Sequence, residues 1–125
     1  MMLSIVCPIY NEVEYIKGCI ESIVAQDYPK DSLEVLFVDG MSSDGTRDVV
    51  RKFISLYPFI KLLDNPKRIT PVALNIGINV AKGSIIFRLD AHAIYPHNYF
   101  SILVKHLEEL RADNVGGICR TLPVN

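Results

Sequence analysis

Leu3-Ser4-Ile5-Val6-Cys7-Pro8, with Val13, Ile16, Ile20, Ile23 and Val24 recurring after it, is the stretch that decides the fold. A short apolar run rich in β-branched residues predicts a strand, and the spacing that follows predicts a helix packed by one face. The same pattern is repeated downstream. Glu34 to Asp39 is a second strand. After a Ser42-Ser43-Asp44-Gly45 turn, Val49, Val50, Phe53, Ile54 and Tyr57 mark a second helix beginning at Thr46. Ile60 to Leu63 is a third strand. The helix after it has Thr70 as N-cap, Pro71 at its first position and Gly83 as terminator, with Leu74, Gly77, Ile78 and Ala81 on one face. Ser84 to Leu89 is a fourth strand, and a helix from near Pro96 buries Phe100, Leu103, Val104, Leu107 and Leu110. Val115 to Thr121 reads as a fifth strand. Apolar strands alternating with amphipathic helices predict an α/β fold: a mainly parallel, doubly wound, Rossmann-like sheet with helices on both faces.

With 125 residues, half of them hydrophobic, the chain is long enough for one domain with a real core, spanning 1–125. A formal net charge of −1 argues against a nucleic-acid partner. No apolar run approaches the roughly 20 residues of a membrane-spanning helix, and the start lacks a charged signal region, so a soluble, cytoplasmic segment is expected. Cys7, Cys19 and Cys119 are odd in number, widely spaced and set in apolar runs. They read as buried free thiols in a reducing compartment.

Ligands of open α/β sheets bind outside the carboxyl ends of the strands. There the sequence is polar: Pro8-Ile9-Tyr10-Asn11-Glu12 after strand one, Asp39-Gly40-Met41-Ser42-Ser43-Asp44-Gly45 after strand two, Asp90-Ala91-His92 after strand four. Asp39 either offers its carboxylate to a base or ribose or caps its own turn. Ser43 or Asp44 caps the following helix. Tyr10 stacks on a nucleobase or simply packs. Asn11 and Glu12 fit an ordinary helix start, with Asn11 as N-cap. Asp90 and His92, two apart in an extended segment, either form an ordinary polar turn or point to one side and together approach a cation, a donor pair better suited to Mn²⁺ than to Mg²⁺. Lys67 and Arg68 lie at the same edge, where they meet a phosphate or only solvent. Arg88, inside strand four, needs a partner that either Asp90 or a ligand supplies.

Taken in order, Ile5 to Glu12, Val38 to Thr46, Ala73-Leu74-Asn75-Ile76-Gly77 and Leu89-Asp90-Ala91-His92 resemble the family 2 glycosyltransferases, and within them the succinoglycan-type transferases of exopolysaccharide assembly. The resemblance implies a GT-A fold, a nucleotide-diphosphate sugar donor (usually a UDP-sugar), a divalent metal (Mn²⁺ or Mg²⁺) and inversion at the anomeric carbon. It implies that Pro8, Tyr10 and Glu12 line the nucleoside pocket and that Asp39 reads the uracil edge. Asn75 matches the family's Asn in helix three, although Leu74 stands where the family usually has Arg, and Arg68, from its place at the sheet edge, is added to the nucleotide site. Asp90 matches the first acid of the metal motif, and His92 stands where the second is expected. The acceptor is a saccharide or lipid-linked sugar at the inner face of the membrane. The general base is expected beyond Asn125, which makes 1–125 a truncated donor-binding half whose open fifth-strand edge invites self-association.

A receiver-type signalling domain is the alternative, with Asp64 of Leu63-Asp64-Asn65-Pro66 as phosphoacceptor. It has only Glu12 for an acid pair and Arg120 in place of a late Lys. A dinucleotide dehydrogenase is disfavoured, because no glycine follows strand one.

Overall fold

The computed structural model describes residues 2–113 and 121–123. Five parallel strands, β1 (Leu3–Ile9), β2 (Leu33–Asp39), β3 (Ile60–Asp64), β4 (Ile85–Arg88) and β5 (Thr121–Pro123), are arranged in the order β3-β2-β1-β4-β5. Between them run α1 (Ile16–Val24), α2 (Thr46–Leu56), α3 (Thr70–Val80) and α4 (Tyr99–Asp113). The strand order reverses between β1 and β4, a topological switch point that opens a crevice at the carboxyl edge.

Alternation along the strands feeds two cores. Ile5, Cys7, Ile9, Val35, Phe37 and Phe87 face one side, where α1 contributes Ile16, Cys19, Ile20 and Ile23, α2 contributes Val50, and α4 contributes Phe100, Val104 and Leu107. Val6, Leu36 and Val38 face the other side, where Ala73 of α3 covers them. Helices on both faces confirm the doubly wound α/β architecture. Cys7 and Cys19 are buried free thiols, as expected, and Cys119 lies outside the described residues.

α3 rests on β1 through Gly77, where a Cβ would come within 2.5 Å of Cγ1 of Val6. Gly77→Ala therefore overpacks the smaller core, and a loss of about 1–3 kcal/mol is expected in urea unfolding. Adding Val6→Ala makes room, so the alanine at 77 should be tolerated far better in that background. At the amino edge of the sheet, Ser4 donates to the buried Glu34 carboxylate at 2.5 Å and accepts from the Gly83 N–H at 2.8 Å. The Lys82 N–H also donates to Glu34. This cluster fastens the α3–β4 connection to β1 and β2.

Several boundaries differ from the sequence reading. α1 begins at Ile16 with Tyr15 as N-cap, not at Asn11, because Asn11 has a left-handed φ of 50° and serves another loop. Ile69 is the N-cap of α3, with Thr70 and Pro71 inside its first turn. That helix stops at Val80 with Ala81 as C-cap, and Gly83 packs on β1 rather than ending it. Ile78 is exposed, while Ala73 and Gly77 carry the buried face with Leu74, Ile76 and Ala81 beside them. α4 leaves Leu110 exposed and Leu103 only partly buried. Of the expected fifth strand, Val115 to Arg120 lie outside the described residues, and strand geometry is described at Thr121–Pro123.

Candidate nucleotide-binding site

The loops after β1 and β2 are bonded to each other. Backbone N–H groups of Asn11, Glu12 and Val13 donate to Ser42 Oγ (2.7 Å), Thr46 Oγ1 (2.8 Å) and Asp44 Oδ2 (3.2 Å). In return the Ser43 N–H donates to Asn11 Oδ1 at 2.9 Å. Asp44 also accepts the Thr46 N–H at 3.1 Å, so it caps the start of α2 as expected of the Ser43–Asp44 pair. The formal N-cap is Gly45, at φ 100°, a conformation costly for residues with a Cβ.

Beside these loops lies a cleft of about 150 Å³, lined among others by Pro8, Tyr10, Glu12, Gly40, Asn65 and Arg68. Four of the expected nucleotide residues thus meet. The Tyr10 ring is 42% exposed, and the Arg68 guanidinium carbon lies 5.1 Å from its centroid. Asn65 was missed by the sequence reading. It is only 2% exposed, its Nδ2 donates to the Ile69 carbonyl at 3.1 Å, and its Oδ1 is buried without a hydrogen-bond partner among the described residues. A buried acceptor left unpaired costs about 1–3 kcal/mol, so this oxygen calls for a donor that the described residues do not supply. Its only sequence signal was a polar residue at the end of the third strand, ahead of Pro66.

Asp39 is placed differently from the others. It is 0% exposed, accepts the N–H and hydroxyl of Ser42, and pairs with Arg47 Nη1 at 2.7 Å. Arg47 reaches across to Asp64 Oδ1 as well, also at 2.7 Å. These two carboxylates, Asp39 foremost, hold the guanidinium even more firmly charged than usual. Arg47, in the first turn of α2, was also missed by the sequence reading. Its presence removes Asp64 from the role of free phosphoacceptor, and the receiver-type alternative finds no support.

On the other side of β1, His92 sits between two acids. Its N–H donates to Asp90 Oδ1 at 2.9 Å, its Nδ1 is 3.1 Å from the same oxygen, and its Nε2 is 3.0 Å from Glu12 Oε1. The Tyr15 ring packs on the imidazole with centroids 4.5 Å apart. Tyr95 clamps the Asp90 backbone, its hydroxyl accepting the N–H at 2.9 Å and donating to the carbonyl at 3.1 Å. Hydrogen bonds from His92, the backbone N–H first, hold the Asp90 carboxyl below its usual range against partial burial. Burial pushes the Glu12 carboxyl up, and the nearby His92 opposes that shift.

Asp90 and His92 do share one side, as expected, and their side chains contact each other. Each ring nitrogen faces a carboxylate, and no group of three metal-ligating side chains occurs among the described residues. Both ring nitrogens of His92 are thus engaged by acids in the ligand-free chain. Asp90 is 46% exposed and receives His92 on Oδ1 alone, so its Oδ2 suits a hard cation completed by water and phosphate oxygens. Asn75 is exposed on α3 and does not line the cleft. A wider groove of about 570 Å³ between Asp27–Pro29 and α4 lacks a comparable set of strand-end groups.

Residues 4–122 match the model of glycosyl transferase family 2. The chain is 37% identical to succinoglycan biosynthesis protein ExoA of Rhizobium meliloti, over 89% of the chain and 34% of that protein. Its fold matches that of S. aureus TarS 1-349 in complex with UDP-GlcNAc, with a TM-score of 0.77 and 25% identity, over 87% of the chain and 32% of the other. It also matches mannosyltransferase PcManGT from Pyrobaculum calidifontis in complex with GDP-Man and Mn²⁺, with a TM-score of 0.71 and 36% identity, over 75% of the chain and 28% of the other. The chain spans 34–40% of the length of the curated relatives it matches first. From the parallel sheet, the strand-end site and these matches together, this chain is a GT-A-fold member of glycosyl transferase family 2.

Proposed function

We propose that this chain binds the donor in the transfer of a sugar from a UDP-sugar to a saccharide or lipid-linked acceptor, with inversion at the anomeric carbon. The observation that carries the reading is the cleft beside Tyr10, in which the buried Asn65 Oδ1 has no partner among the described residues. A single-ring base entering it lays one face on Tyr10 and meets the Arg68 cation, while its imino N–H donates to Asn65. Pro8 and Glu12 form the wall toward β1. Asp39, bonded to Ser42 and paired with Arg47, holds the loop that follows β2. Asn75, outside the cleft, is left to the distal part of the donor.

Asp90 would hold the divalent ion by its outer oxygen. When bound, the ion offsets charge on the departing nucleotide diphosphate. PcManGT, a solved relative, carries Mn²⁺ with GDP-Man, which supports the same use here. We assign neither the general base nor the acceptor site to any of the described residues. Among the described residues no helix is long and apolar enough to cross a membrane. We place the reaction at the cytoplasmic face, where a lipid-linked acceptor is presented.

The test is thermal unfolding with UDP and Mn²⁺. At about a hundred times Kd the ligand should add about 2.7 kcal/mol of stability. Asn65→Ala should weaken UDP about tenfold, the worth of one buried hydrogen bond. If neither UDP nor GDP shifts the unfolding midpoint, the donor-site reading is wrong.

A further inference from the structure

Ile86, Arg88 and Asp90 alternate with Phe87, Leu89 and Ala91, and the latter three are buried in the larger core. Alternation therefore places Arg88 and Asp90 together on the α3 side of the sheet, where Ile86 packs against the smaller core. Arg88 pairs in register with Val6, the residue on which Gly77 rests. The charged side chain thus rises beside α3, one strand from the centre of the sheet and two residues before the acid at the switch point.

A half-buried guanidinium in such a place needs an anion. The described residues supply none. Its Nε is buried without a hydrogen-bond partner, and among the described residues Arg88 forms no ion pair. Asp90, the expected partner, gives Oδ1 to His92 and feels Arg88 only through space. Glu12 is likewise turned to His92, and Asp39 and Asp64 share Arg47.

We infer that Arg88 is a diphosphate-binding residue, its guanidinium fork donating to phosphate oxygens of the donor on the β4 side of the cleft. This rests on the donor-site reading above and deepens it. The planar fork fits a phosphate in two-point contact, and the same strand carries Asp90 two residues on for a bridging cation. The arrangement divides the donor between two walls. Tyr10, Asn65 and Arg68 take the nucleoside, and Arg88 with Asp90 takes the diphosphate.

Calorimetric titration of the chain with UDP, uridine and inorganic pyrophosphate tests this, using wild type, Arg88→Met and Arg88→Lys. Arg88→Met should weaken UDP about ten- to a hundredfold and leave uridine within about twofold. Arg88→Lys, which keeps the charge and loses the fork, should fall between. The ligand-free Arg88→Met chain should melt no lower than wild type, because an unpaired charge has been removed. Unchanged UDP binding in Arg88→Met overturns the inference, as does an equal loss for uridine or a lowered melting temperature, which marks a structural role. If wild type binds neither UDP nor uridine, the donor-site reading fails separately. Pyrophosphate then decides Arg88: binding abolished by Arg88→Met upholds it, and binding that is absent or indifferent to the substitution overturns it.

Discussion

Arg47→Met should lower the stability of the ligand-free chain by about 3 kcal/mol, seen as a fall of about 10 °C in Tm. The substitution removes the cation at 2.7 Å from a carboxylate that is 0% exposed, and leaves Asp39 with Ser42 alone. Breaking a buried pair from one side usually costs about 3–5 kcal/mol. The lower end applies here, because Arg47 is 19% exposed and Ser42 remains. Asp39→Asn in the same chain should return more than half of the loss, since an amide can accept the Ser42 hydroxyl and carries no charge to bury. Arg47→Lys should be intermediate, because a single ammonium cannot reach Asp39 and Asp64 as the fork does. An Arg47→Met chain that melts like wild type would show that the pair contributes no net stability.

The other large effect lies at the opposite edge of the sheet. Gly83→Ala should cost about 3 kcal/mol or more in chemical unfolding. A Cβ there would come within 2.6 Å of Ser4 Oγ, 2.7 Å of the Ser4 nitrogen and 2.9 Å of the Leu3 carbonyl carbon. Two of those atoms are backbone of β1, which is bonded to strands on both sides and cannot step away. Relief would pull the Gly83 N–H off Ser4 and loosen the hydroxyl that serves the buried Glu34. Lys82→Ala is the control. Only its backbone N–H joins the cluster, so unfolding should be almost unchanged.

How far these features were legible depended on how local their causes are. Buried parallel strands write themselves as apolar runs, and the four α-helices as periodic ones, so the fold followed from Leu3 to Val24 and its repeats. Strand-end chemistry was legible as position: Tyr10, Glu12, Arg68 and Asp90 were found where open sheets keep their ligands. What failed was set by distant partners. Asn11 looks like an N-cap, but its side-chain oxygen accepts the N–H of Ser43, 32 residues away, so the helix waits until Ile16. His92 was legible beside Asp90, but its second contact, to Glu12 from another strand end, was not. Arg47 carries no local mark, and Asn65 only that of a polar residue after the third strand. One reads as a solvated residue in a helix turn and the other as part of a proline loop, and only the fold shows the first neutralising a buried acid and the second holding an unused acceptor.

The cross-bonded loops after β1 and β2 bear on the timing and thermodynamics of recognition. Four hydrogen bonds make one body of two segments that would otherwise fluctuate separately. A ligand meeting Tyr10 and Glu12 therefore has little conformational entropy to remove from that wall. Association there should resemble docking into a preformed recess, and the Asn11, Glu12 and Val13 amides should exchange slowly with solvent before any ligand arrives.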